Sequence, residues 1–189
     1  MNKKILVPLA NGFEEAEFIG IVDVLRRAEV EVIVAGLQGD SLYTGANRVQ
    51  IKADESLKNI EPSEFDGIVL PGGFEGMDNL KSDDTIIKII KDFHFKKKLV
   101  CAMCASPIVL HHAGVLEGRD FTCYPGCETG LDGKRHNQAV VVREHIITSA
   151  GPATAILFGL EIVKLLCGQE TYKALFEGLL VPLTLSIES

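Results

Sequence analysis

The stretch Lys98-Leu99-Val100-Cys101-Ala102-Met103-Cys104-Ala105-Ser106-Pro107 constrains this chain more than any other. A short apolar run stops at a cysteine flanked, two places before and two after, by the small residues Ala102 and Ser106, and helix-period sequence follows at once. A strand that turns sharply into a helix brings its flanking backbones close and needs small neighbours there. The residue at the bend is held out in the open at the helix N-terminus. That is the geometry of a nucleophile elbow. It predicts that the helix dipole and the free N–H groups of Ala105 and Ser106 acidify the Cys104 thiol. The competing reading is a small buried residue at a strand end, where most free cysteines lie.

The rest of the chain supplies strands and helices in alternation. Residues 4–9, 30–35, 67–70 and 99–101 are apolar runs suited to parallel strands buried on both faces. Residues 41–44 and 48–52 bracket Gly45-Ala46-Asn47 as a hairpin, and 61–64 is a loop. Ser82-Asp83-Asp84 caps a helix whose core face is Ile86, Ile87, Ile90 and Phe93. The elbow helix runs to Gly114, and residues 121–133 are irregular. Residues 139–142 and 146–148 are two short strands. Gly151-Pro152 opens a helix that stops at Gly168, and 172–179 forms a short final helix. This order predicts an α/β fold with a mostly parallel sheet covered on both faces, in a single domain over 1–189. Ligands in such sheets sit beyond the carboxyl ends of the strands. The turn before Glu17, the Pro71-Gly72-Gly73 turn, the Cys104 elbow and the Ala150-Gly151-Pro152 turn should therefore share one edge.

Composition narrows the function. The 189 residues are 47% hydrophobic and 24% charged, the mix of a soluble globular protein. A formal net charge of −7 argues against a nucleic-acid surface, and Lys96-Lys97-Lys98 reads as a solvated face. No apolar run reaches the length of a membrane span. The N-terminal Met-Asn-Lys-Lys and the apolar run after it read as a first strand rather than a signal peptide, because the run breaks at Asn11-Gly12. Five cysteines do not form an even disulfide framework, so reduced thiols in the cytoplasm are expected.

Glu17 is the second candidate for chemistry. With residues 14 to 28 placed at about 100° per residue, Phe18, Ile21, Val22, Val24, Leu25 and Ala28 share one arc, and Glu15, Asp23, Arg26 and Arg27 the opposite one. Glu17 falls inside the apolar arc, and Glu14 does too but in the turn. A carboxylate on a buried face needs an explanation; facing Cys104 in a partly dry pocket, it would have a raised pKa and serve as a general acid or base. Gly72 and Gly73 can bring a further backbone N–H to the sulfur, completing an oxyanion hole. No histidine pairs with Cys104 by position; His136, in a loop, is the one weak candidate. Cys101-x-x-Cys104 has a redox or zinc spacing, but Cys101 belongs to the strand. Cys123 and Cys127 remain open as resolving thiols, and Cys167 as packing.

Four segments carry a resemblance: Glu14-Glu15-Ala16-Glu17, Val69-Leu70-Pro71-Gly72-Gly73, Cys101 through Pro107, and Thr148-Ser149-Ala150-Gly151-Pro152-Ala153-Thr154, in that order. The sequence resembles the ThiJ/PfpI superfamily, in the branch of the Parkinson-disease-associated protein deglycase, from Lys3 to about Leu183. The resemblance implies a flavodoxin-like three-layer sandwich of the class I glutamine amidotransferase type, and a homodimer. It implies a reactive cysteine at Cys104, an acid partner at Glu17, and backbone donors at Gly73 and Ala105. Gly72, Tyr124 and Ser106 would be site neighbours, with no cofactor and no metal. The activities it brings are a glyoxalase or deglycase acting on small aldehydes or glycated adducts, a chaperone, and an oxidation sensor. It also brings an old label in thiamine-pathway thiazole monophosphate biosynthesis. Glutamine amidotransferase-like hydrolysis would require a Cys-His-Glu triad that the sequence lacks. Two positions depart from relatives: Tyr124-Pro125 stands where a His-Pro pair is common, and Ala150 where some carry arginine.

Overall fold

A computed structural model describes residues 3–184 and Ser186. Met1 and Asn2, at the start of the N-terminal segment, and 185 and 187–189, at the end of the expected 1–189 domain, lie outside the described residues. The chain runs β1 (Lys4–Leu9), α1 (Glu15–Arg27), β2 (Glu31–Gly36), β3 (Leu42–Thr44), β4 (Gln50–Lys52), β5 (Glu55–Ser56), β6 (Gly67–Leu70), α2 (Phe74–Lys81) and α3 (Asp84–Phe95). It continues with β7 (Leu99–Met103), α4 (Pro107–His112), β8 (Val140–Arg143), β9 (Ile146–Ser149), α5 (Ala155–Cys167) and α6 (Gln169–Gly178). Among the described residues the main sheet has seven strands, in the order β5-β2-β1-β6-β7-β9-β8. Its pairings are parallel except β8 against β9, and β3 and β4 form a separate antiparallel hairpin.

The wholly apolar strands hide a period of two. Ile5, Val7, Leu9, Val69, Cys101 and Met103 face one layer with Phe18, Ile21 and Leu25 of α1 and Phe158, Ile162 and Val163 of α5. Leu6, Ile68, Leu70, Val100 and Ala102 face the other, with residues of α2, α3 and α4. Such a sheet has no polar face to expose, which is why its strands read as continuous apolar runs. This is the flavodoxin-like sandwich that the resemblance implies. No helix among the described residues is long and apolar enough to cross a membrane.

Helices α1 and α5 approach closely. A Cβ added to Gly20 would stand 2.7 Å from Cβ of Ala155, and one on Gly159 2.9 Å from Cβ of Val24. Only small residues let the two helices come this near.

Several elements differ from expectation. The expected 61–64 loop is a turn of 3-10 helix, Pro62–Glu64. Strand β5 is only two residues long, too short to leave a pattern. The sequence pattern does not announce helix α2, whose eight residues include Gly76 and Asn79, both weak helix formers. The elbow helix stops at His112, short of Gly114, whose N–H turns back to the carbonyl of His111 at 2.8 Å. Helix α5 begins at Ala155, after a 3-10 turn at Pro152–Thr154, and α6 begins at Gln169 rather than 172.

Candidate active site

Four strand ends build the site. Strand β7 delivers Cys104, whose N–H donates to the carbonyl of Ser149 at the end of β9 (2.9 Å). Cys104 has φ +59°, the left-handed region that a side chain rarely adopts. This is the backbone signature of the predicted elbow. Ser106 braces the bend: its Oγ donates to the carbonyl of Pro71 at 2.6 Å, tying the elbow to the Gly72-Gly73 turn after β6.

Glu17 lies on the first turn of α1, 0% exposed. The Gly72 N–H donates to its Oε2 at 2.8 Å. Its Oε1 is buried without a conventional hydrogen-bond partner, and the Cys104 side chain is the polar group that reaches the carboxyl. Gly72 must lack a side chain, since a Cβ there would overlap Glu17 Oε2 and come within 2.6 Å of Cys104 Cβ. Gly73 has φ +93° and backs onto Gly12 and Glu14, so it too is confined to glycine. The turn thereby aims two successive N–H groups differently: Gly72 at the carboxyl, Gly73 at the Cys104 sulfur. Ala105 supplies the second N–H to sulfur. The N–H of Ser106 does not; it donates to the carbonyl of Met103 (2.9 Å), which corrects its expected role as a donor to the thiol.

The electrostatics also correct an expectation. Burial raises the Glu17 carboxyl from 4.5 to about 7, against the pull of its bonds to Cys104 and Gly72; Glu14 adds to the rise. The Cys104 thiol is pushed up as well, first by burial and then by the charge and hydrogen bond of Glu17. The bend does not hold the cysteine in the open: it is 6% exposed. The helix behind it has only six residues and starts three positions later. The N–H groups of Gly73 and Ala105 act in the acidifying direction but do not overcome desolvation. Two facing acids share one dry site, so the pair gives up a first proton near neutrality and strongly resists a second charge.

Tyr124 enters from the irregular segment. Its N–H donates to the Cys104 carbonyl at 2.9 Å, and its ring lies over Gly151, where a Cβ would stand 3.3 Å from Cδ2. It meets Phe74, the residue after Gly73, edge to face with ring centroids 6.3 Å apart. Sequence reasoning did not single out Phe74. The i, i+3, i+6 spacing of Phe74, Met77 and Leu80 is the signal that could have found its helix.

The other candidates lie elsewhere. His136 faces Asp120 at 3.4 Å, and Asp120 binds Arg143 beside the opposite end of β9. Cys123 points to Glu128 Oε2 at 3.9 Å, with Cys127 near Glu128 and Arg135, while Cys101 is sealed in β7. Glu15, placed by periodicity on the solvent arc, is 8% exposed. It accepts the N–H groups of Asn47 (2.6 Å) and Val49 (3.3 Å) and so anchors the β3–β4 hairpin. Glu14 caps α1, accepting the Glu17 N–H at 2.7 Å.

A flavodoxin-like sandwich whose elbow cysteine faces a buried carboxyl defines the class. The DJ-1/PfpI family model matches residues 3–165, and the chain belongs to that family. It is 39% identical over 184 residues to "Protein dj-1beta" of Drosophila melanogaster, covering 96% of this chain and 98% of that one. The crystal structure of Drosophila melanogaster DJ-1beta superposes with a TM-score of 0.91 at 38% identity, over 95% of this chain and 98% of that one. A structure titled "Toxoplasma gondii DJ-1, oxidized" gives 0.89 at 34% identity, over 94% and 98%.

Proposed function

We propose that Cys104 and Glu17 form a cofactor-free thiol–carboxyl pair that turns over small 2-oxoaldehydes or early glycation adducts. The observation that carries this reading is a fully buried carboxyl, titrating near 7, against the cysteine at a left-handed bend. A base poised near the working pH is the efficient one. In the glyoxalase reaction the sulfur attacks the aldehyde carbon, a C–S bond forms, and the carbonyl pair moves to oxygen. The thiol proton passes to Glu17 and on to that oxygen, giving a hemithioacetal. The Gly73 and Ala105 N–H groups, aimed at the sulfur, lie where they can hold the developing oxyanion. Glu17 then removes the proton on the attacked carbon and returns it to the neighbouring carbon. The first carbon is oxidised, the second reduced, and no outside electron carrier is needed. Water cleaves the resulting thioester to a 2-hydroxy acid and the free thiol. Steady-state lactate production from methylglyoxal, lost in both Cys104→Ser and Glu17→Gln, tests this. No turnover above the protein-free control sinks it for that substrate.

A second reading is oxidation sensing. The same two N–H groups would cradle an oxidised sulfur, and the similar Toxoplasma gondii DJ-1 structure is of an oxidized form. Two equivalents of peroxide convert the thiol to a sulfinate and two waters. Mild peroxide should add two oxygens to the Cys104 peptide; oxidation scattered over all five cysteines would refute it. The five unpaired thiols suit a reducing cytoplasm. Exposed Ile19, Leu42 and Val49, on α1 and around the hairpin it anchors, offer a face for a homodimer, which sedimentation would reveal as twice the mass of the 20.5 kDa chain.

A further inference from the structure

We propose that Phe74 and Tyr124 form an aromatic mouth over Cys104 that favours uncharged carbonyl compounds bearing a planar aryl group over those bearing methyl. The proposal rests on the reactive-cysteine reading above and names the substituent that the site selects.

Three observations converge. Phe74 and Tyr124 are strongly exposed, at 62% and 44%; among the described residues the third aromatic so exposed is Phe95, at the end of α3. Two of the three therefore meet each other, on the two segments whose backbones flank Cys104. Both rings are tied to the chemistry through backbone. Phe74 follows Gly73, whose N–H reaches the sulfur, and Tyr124 bonds the Cys104 carbonyl. Rotation of either backbone segment would disturb the elbow, so the Cα positions that carry the rings are held in fixed relation to it. Finally, the edge-to-face contact, with planes at 85°, leaves ring faces uncovered. An aryl group can stack on such a face or complete a second edge contact.

The chemistry of the rim points the same way. Gly151 gives up its side chain to admit the Tyr124 ring, and Ala150 and Pro152 beside it carry no charge. Phe74 adds none either. These four residues offer no cation to a carboxylate or phosphate, and Arg135, on the same irregular segment as Tyr124, gives its Nε to the Cys123 carbonyl (3.2 Å), so a neutral, flat, apolar group is what they can hold. The hydroxyl of Tyr124 provides one polar handle at its edge.

Two α-bromoketones, phenacyl bromide and bromoacetone, isolate the effect. They share the electrophilic carbon and differ in phenyl against methyl. In both, sulfur displaces bromide: a C–S bond forms, the C–Br bond breaks, and the thiol proton leaves through Glu17 to solvent. Rates at Cys104 are followed by peptide mass, and each is divided by the rate with glutathione. The expected normalised preference for phenacyl is about two- to tenfold, the size of one aromatic contact. It should fall toward unity in Phe74→Ala and in Tyr124→Ala, and persist in Phe95→Ala. Labelling of Cys104 with no preference over glutathione, or a preference kept in both site variants, overturns this proposal alone. No labelling of Cys104 by either reagent overturns the reactive-cysteine reading with it.

Discussion

Replacing Glu17 by glutamine should make the protein more stable, and increasingly so as the pH rises. The side chain is fully buried, and its carboxyl titrates near 7 in the fold against 4.5 ordinarily. A raised folded-state pKa means that the native state binds the proton more tightly than the unfolded chain. The stability it contributes is complete below 4.5 and is lost as the pH climbs through about 7. At about 1.36 kcal/mol per pH unit, the full interval is worth on the order of 3 kcal/mol, with about 2 kcal/mol falling between roughly pH 5 and pH 7.5. Glutamine keeps the shape and an oxygen for the Gly72 N–H but does not titrate. Urea denaturation of both proteins across that range reads the difference directly, because other titrating groups cancel in the subtraction. A difference that stays flat with pH, or a variant less stable throughout, would refute the assignment of Glu17 as a buried acid titrating near neutrality.

Three further outcomes follow from neighbouring geometry. Gly72→Ala drives a Cβ into Glu17 and Cys104, so it should lose about 1–3 kcal/mol to overpacking, with slower alkylation of Cys104; wild-type stability and rate together would refute the tight turn. Glu15→Ala removes a carboxylate that accepts two backbone N–H groups, a loss of about 1.5–3 kcal/mol for bonds to a charged group. It should be accompanied by faster amide exchange at Asn47 and Val49; unchanged exchange would show that the hairpin does not depend on it. His94 and His145 share a 2.9 Å hydrogen bond between ring nitrogens. Both sit below the ordinary 6.5, first through burial, then through Arg119 and Lys97 for His94 and through His94 and Lys97 for His145, against Glu144. The unfolded chain then binds more protons, and stability falls as the pH drops through 6.5. Imidazole NMR titrations with midpoints at or above 6.5 would refute this.

How much of this was legible in the sequence depends on the range of the interaction. Strand β1 and β6 bounds, the Asp83 cap and the apolar arc of α1 follow from local pattern, because burial on both faces of a parallel sheet leaves continuous apolar runs. Glu17 was found by the same arc, since a charge there violates the pattern. Glu15 was misread for the converse reason. Its arc faces outward from the sheet, and only the hairpin more than thirty residues on buries it. The state of Cys104 was also not local. Helix and N–H effects can be read from the elbow, but the burial that outweighs them, and the Glu17 carboxyl that adds to it, are set by tertiary packing. Phe74 lay in a helix too short and too glycine-bearing to announce itself.

The missing histidine looks different once Glu17 has been located. A cysteine nucleophile commonly uses an imidazole because it ionises near neutrality; here a carboxyl lifted to about 7 occupies that range. A protonated histidine beside the sulfur would stabilise a standing thiolate. The Cys104–Glu17 pair instead holds a protonated thiol next to a base, so charge develops on sulfur only as an electrophile arrives. Tyr124 at the common histidine position then need not supply a base, and its exposed ring is free to act on the substituent. The two arrangements separate in the pH profile of Cys104 alkylation. A paired imidazolium gives a rate already at plateau below neutrality. The carboxyl base gives a rate that rises with an inflection near 7, and that inflection disappears in Glu17→Gln. A plateau extending below pH 6 in the wild type would assign the proton to another group.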